Sequence, residues 1–315
     1  MDGKLKRRDF IKKSVGAAAL IGGGLSWPRS GAGLSRSAKS EYPDVAVVQG
    51  EDYLASTRKA VELLGGIERF VPKSARVAIL PNTQSAHPGT FTKPDIVRAV
   101  IRMCKKAGAS EVNCLSWLPE KSWAATGLAG VLKEEGAELK IVDLKAEALF
   151  KPVALPKGKI LREAMIMREF FNNDCLINLP IAKDHAGNKF TGAMKNLMAL
   201  NFAQLNRTFH SGDFKTTPDD IDRLDQCIAD LNLAVKPVLC IVDATEFITT
   251  NGPFGPGELA KPRKVVAGVD RIAVDSYCAS LRGLKGEEIL MIKKGYEHGL
   301  GEIDLKKVRI QEVAV

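Results

Sequence analysis

The stretch Lys183-Asp184-His185-Ala186-Gly187-Asn188-Lys189-Phe190-Thr191-Gly192-Ala193-Met194-Lys195-Asn196 holds the chain's densest set of reactive side chains, and His210 follows fifteen residues beyond Lys195. Imidazole is the usual metal ligand and near-neutral acid/base, and a lysine amine can bind an anion or form a covalent link. Thr191 and Gly192 are suited to open a helix whose free N–H groups would attract an anion, with Lys195 and Asn196 in its first turns. Lys183 and His185 would then lie on the loop just before it. The expected catalytic set is His185, Lys195 and Lys183. A solvated helix lysine remains the alternative for Lys195.

Carboxylates supply the second half of the candidate chemistry. Asp243, Asp270 and Asp275 follow apolar, strand-like runs, where Asp either ligates a cation or caps the next helix. With His210, Asp243 and Asp275 form the expected metal set, for a divalent ion. Of the other histidines, His87 reads equally as site or surface, and His298, in a Gly turn, as structural. The six cysteines include no C-x-x-C pair, which argues against a ferredoxin-type cluster or a zinc ribbon. Cys114, Cys175 and Cys240 lie in apolar runs and read as small buried hydrophobes, although an oxidising compartment would permit a disulfide.

These residues need a scaffold, and the pattern around them alternates strand with helix. Strands are predicted at 45–49, 76–80, 111–117, 138–144, 174–180, 236–244 and 264–270. Helices are predicted at 94–107, 123–135, 219–234, 271–282 and 287–297, the first with Pro94 at its start and Gly108 at its stop. Such alternation indicates an α/β fold with a mostly parallel sheet and helices on both faces. Ligands then bind at the carboxyl-end loops of the strands, here 81–94, 180–196, 243–257 and the turn from Asp270 to Asp275. The Asn251–Gly257 segment reads as a rigid lid or wall. Neither G-x-G-x-x-G nor a P-loop follows a strand, and G-x-S-x-G is missing too.

Composition narrows the partners. The 315 residues carry 46 Lys+Arg against 37 Asp+Glu, a net +9. Residues 1–40 hold nine of those bases and two of the acids, leaving 37 basic and 35 acidic residues in 41–315. With 6% aromatic residues, that near-neutral body gives no groove for nucleic acid. The basic start reads as a leader. Arg7-Arg8 followed by Phe10-Ile11-Lys12, then an apolar run from Ser14 to Leu25, resembles a twin-arginine signal with Lys6 in the usual Ser/Thr place. Residues 1–40 are therefore expected to be signal and linker, and 41–315 the domain. The expectation is export to the periplasm through the twin-arginine machinery, with no transmembrane span in the mature chain. No clean A-x-A stands between Trp27 and Ser40, so N-terminal membrane retention is a second outcome.

The ordered motifs P-N…H-P-G-x-x-T-x-P-D-I-V-R-A-V-I, I-N-L-P-x-x-K-x-H, T-G-A-M-K-N-L, I-V-D…N-G-P-x-G and A-G-x-D-x-x-A-V-D run from about residue 45 to 312. They resemble the domain-of-unknown-function 362 family, whose members often carry twin-arginine signals or ferredoxin-like segments; this chain has no such segment. More distantly, H-x-x-x-x-x-T-G-A-M-K with a histidine fifteen residues on is similar to the nickel-pincer lactate racemase family. That likeness implies Lys195 as attachment point of a nicotinate-derived cofactor, His210 as nickel ligand and His185 as acid/base. Asn82-Thr83 fall where that family has its substrate loop, without its Arg, and 114–123 lacks the second catalytic histidine. Thr191, Gly192, Asn196 and Asn82 complete the expected cofactor surroundings.

Two functions follow as expectations. One is a cofactor- or metal-dependent enzyme that moves a proton or hydride on a small anionic molecule. The other is an accessory protein holding a metal or iron–sulfur cluster for an exported redox system, without turnover.

Overall fold

The computed structural model describes residues 41–210 and 217–315. In chain order the strands are β1 (Val45–Gln49), β2 (Arg76–Pro81), β3 (Glu111–Ser116), β4 (Glu138–Ile141), β5 (Phe150–Ala154), β6 (Glu163–Met167), β7 (Cys175–Leu179), β8 (Leu239–Ala244), β9 (Phe247–Ile248), β10 (Leu259–Ala260), β11 (Lys264–Gly268) and β12 (Ile310–Ala314). The α-helices are α1 (Tyr53–Leu63), α2 (Pro94–Lys106), α3 (Glu120–Ala125), α4 (Leu128–Glu135), α5 (Ala193–Asn196), α6 (Ala203–Phe209), α7 (Pro218–Leu231), α8 (Arg271–Ser280) and α9 (Leu290–Glu297).

Eight strands form one sheet in the order β12-β1-β11-β8-β7-β2-β3-β4. All neighbours pair in parallel except β11, which runs against both β1 and β8. The expected mostly parallel α/β sheet is therefore present. β11 corrects one detail of it. Because β11 is reversed, the Asp270 turn leaves the edge opposite the carboxyl ends of the other strands, away from the loops it was expected to join.

Successive strand residues feed two different cores, as a doubly covered sheet requires. Val77, Ile79 and Ile177 pack with Ile96, Val97, Ile101 and Trp123 from α2 and α3. Ala78, Leu80 and Leu176 pack on the other face with Met194, Leu224, Ile272 and Ile292 from α5, α7, α8 and α9. α2 shows how the sequence makes such a helix: Pro94 starts it, Ile96, Val97, Val100, Ile101 and Cys104 form one buried stripe, and Gly108 (φ 86°) ends the turn. Each buried aliphatic there contributes about 1.5–3 kcal/mol relative to exposure. The helix predicted over 123–135 is broken at Gly127, whose φ of 76° no helix interior accepts.

Candidate functional site

The loop after β7 is pinned at its base. Lys183 N donates to Thr191 O (3.2 Å) and Thr191 N to Lys183 O (2.8 Å), so the chain leaves the sheet, turns through His185–Lys189 and returns to start α5. Lys189 takes a positive φ of 63° at the turn. This closure brings His185, Thr191, Lys195 and Asn196 to one wall of a half-enclosed cavity of about 500 Å³. Asn82 and Thr83 from the end of β2 and His210 from the end of α6 join the same lining. Arg207, exposed, and Asp220, half-buried, also line it, and Pro253 and Phe254 contribute from the 251–257 segment.

Lys195 is held on this wall by an amide and a carboxylate. Its Nζ donates to Asn188 Oδ1 (2.9 Å), and the same amide donates to the buried Asp225 carboxylate. Burial pulls the lysine well below the ordinary amine range, with the charge of Asp225 opposing that shift, and burial pushes Asp225 up. His185 is held differently. Its Nδ1 accepts from Gly187 N (3.3 Å) and Asn188 N (3.4 Å), which leaves the proton of the neutral ring on Nε2. Burial, with the nearby Lys195 and Lys183 charges, lowers this imidazole to about 2. Burial and the neighbouring cations thus favour the neutral ring, whose Nε2–H is the donor. His210 is lowered in the same way by burial and by Lys195.

Lys183 lies beneath the wall. It is fully buried and donates to Thr90 O (2.6 Å) and Asn82 Oδ1 (3.3 Å), and burial lowers it to about 7. A chain of amides continues from it. Asn82 Nδ2 donates to Asn196 Oδ1 (3.1 Å), Asn196 Nδ2 to Asn178 Oδ1 (2.8 Å), and Asn178 Nδ2 to Ala193 O (2.8 Å). Each amide is oriented by its neighbour, so the β2 and β7 ends are locked to α5.

The carboxylates are spent elsewhere. Asp275 is buried and accepts from Ala193 N (2.6 Å) and Met194 N (2.9 Å). It fills the anion position that the opening of α5 was expected to offer an external ligand. Gly192 is there because any Cβ would meet Asp275 Oδ1 at 2.3 Å. Asp243 accepts from Lys93 N (2.8 Å), Thr245 N (2.9 Å) and Thr245 Oγ1 (2.7 Å), and Asp270 caps α8. Neither Asp243 nor Asp275 lines the cavity with His210. The expected metal set is thus not brought together, and among the described residues no group of three or more His, Cys, Asp or Glu side chains could hold a metal ion. The six cysteines are free and buried. His87 is exposed on its loop, while His298 Nε2 meets the buried Asp230 at 2.7 Å as a structural contact.

A family model described as a domain of unknown function (DUF362) matches residues 77–280, more than half of the chain. The chain belongs to the DUF362 family. The matched span of this DUF362 chain runs from β2 to the end of α8 and includes every cavity residue named above. A thylakoid-associated protein of Synechocystis sp. is 26% identical over 246 residues, covering 73% of this chain and 72% of its own length. Among solved structures, the lactate racemase apoprotein of Thermoanaerobacterium thermosaccharolyticum is 15% identical with a TM-score of 0.45, covering 62% of this chain. A Thermotoga maritima protein is 12% identical with a TM-score of 0.38, covering 60%. The chain spans about half the length of each of these two solved structures. Among the described residues, no helix of this DUF362 protein is long and apolar enough to cross a membrane.

Three residues of the site were given no role by the sequence. Asn188 and Asp225, which hold Lys195, sit 37 positions apart, and only the packing of α7 against the β7 loop joins them. Arg207 is an exposed helix residue until the fold turns it toward the lining.

Proposed function

We propose that this chain is an enzyme that binds a small organic anion at the carboxyl ends of β2 and β7 and moves a proton or hydride to or from it. The observation that supports this most directly is the convergence of the Lys195 amine, His185 Nε2–H and His210 on one cavity. Lys195 and Arg207 attract the anion. The neutral His185 donates to a carbonyl or hydroxyl oxygen as charge builds there, a role that suits an imidazole held below its usual range. Lys195, held low by burial, is the base while its amine is free, and the nucleophile that forms the link where a cofactor is anchored on it.

A cofactor anchored on Lys195 fits the residues present, whereas a metal held by the chain alone does not. A protein-held ion needs three or four side chains, and no such set occurs among the described residues. An organic group tethered to Lys195 that brings its own metal donors needs only one further ligand, and His210 opens on the same space. The buried Thr191 hydroxyl, without a partner, offers it a hydrogen bond. Bound there, such a group would supply a hydride acceptor.

The same proposal has the chain exported. Its support is the Arg7-Arg8 leader, which lies outside the described residues, and the relative's association with thylakoids favours a membrane-side location. To test the enzyme, protein purified from its native source is examined by intact mass and metal content. It is also incubated with 2-hydroxy acids in D2O, with Cα exchange read by NMR. A mass adduct on Lys195 or deuterium at Cα, lost by at least 100-fold in Lys195→Ala, is expected. Unmodified Lys195 with no exchange overturns the reading.

A further inference from the structure

Different strands supply chemically different parts of the cavity wall. The ends of β7 and β2 contribute His185, Asn82 and Thr83, with Lys195 just beyond. The next two strands in the sheet, β3 and β4, contribute Leu115, Ser116, Trp117, Leu118 and Leu144. No charged side chain from the β3 or β4 ends is among the described lining residues. The lone hydroxyl there, Ser116 Oγ, is already engaged by Leu118 N (2.9 Å) and Trp123 Nε1 (3.1 Å). Met198 and Phe254 extend the apolar surface, and Phe254 is half exposed (52%).

Length then selects the occupant. From β7 through β2 and β3 to β4 there are three strand spacings, about 14 Å. A three-carbon acid, two C–C bonds long, covers roughly one spacing and would leave the β3–β4 wall facing water. A volume of about 500 Å³ is in the range that encloses ligands of some twenty or more heavy atoms.

We infer that the ligand of this cavity is an amphipathic organic anion, with its acid group at the Lys195–His185 end and an aliphatic or aromatic body lying along Leu115, Trp117, Leu118 and Leu144. This deepens the proposal above and rests on its reading of the cavity as an anion site. Burial of the body on the apolar wall supplies affinity, while the cationic end fixes which way round the ligand lies.

The test displaces 1-anilinonaphthalene-8-sulfonate from the full chain with acetate, lactate, butyrate, hexanoate, octanoate, decanoate and 2-naphthoate. Affinity should rise about fourfold per methylene, from roughly 0.8 kcal/mol each, until the wall is covered. The expected result is displacement by decanoate and 2-naphthoate below millimolar concentration and none by lactate. Leu144→Glu, at a partly exposed loop position, should weaken decanoate at least tenfold and leave the folded fraction unchanged in far-UV circular dichroism. Lys195→Met should weaken every carboxylate alike. Lactate binding as tightly as decanoate, or decanoate untouched by Leu144→Glu, overturns the inference and leaves the enzyme proposal standing. Failure of every anion to bind removes both.

Discussion

The carboxylates and the bases that follow the strands are equal in number, yet the fold uses them in opposite ways. Asp243, Asp270 and Asp275 turn toward the backbone and accept two or three N–H or hydroxyl groups each. Lys195, His185 and His210 line the cavity. These three acids hold the backbone, while these three bases border the cavity. The difference follows from what each group can bond: a carboxylate satisfies orphan N–H groups at turns and helix starts, whereas a lysine amine can only donate, as Lys183 does to Thr90 O.

Asp275→Ala should strain this contrast most. It strips two buried N–H groups of their acceptor, at about 1–3 kcal/mol each, so urea unfolding should show a loss of about 2–6 kcal/mol. A variant of unchanged stability that fails to bind a metal would reverse the roles assigned above. Lys195→Met is the mirror experiment. Stability should change less than in Asp275→Ala, since Asp225 keeps its Asn188 hydrogen bond when the amine is lost, while anion binding or exchange falls at least 100-fold. Equal losses in both assays would erase the distinction.

Asp225→Asn sharpens the comparison through pH. Asp225 raises the Lys195 amine against burial, so removing its charge should lower the midpoint for acylation of Lys195 by about one unit or more, read by peptide mass across pH. An upward shift or none would detach Asp225 from the lysine. Lys183 gives a related test. Its folded value of about 7 lies below the ordinary 10.5, so the unfolded chain binds the extra proton between them and stability should rise with pH over that window. Lys183→Met should flatten the rise. The smallest effect is expected for Asp243→Asn, about 1 kcal/mol, because the amide oxygen still accepts at Thr245.

The sheet was largely readable because β2, β7, β8 and β11 are mostly apolar runs, the pattern that double burial imposes. β12 and the β5–β6 ribbon were missed: RIQEV mixes charge into an edge strand, and Pro152 interrupts FKPVA. The sense of β11 was equally hidden, since a strand's residues do not record its direction. At the site, the 183–196 segment stood out because lysines and a histidine cluster in one loop. Asp225 did not, being an ordinary acid in the middle of α7.

β1 has a temporal consequence. Its two neighbours, β11 and β12, are made last, about 215 residues after β1 itself. At 5–20 residues per second, β1 waits roughly 10–40 s with both edges open before any native strand can pair with it. During that interval Val45–Val48 is an exposed adhesive segment, and shielding it is a task for whatever accompanies the nascent chain.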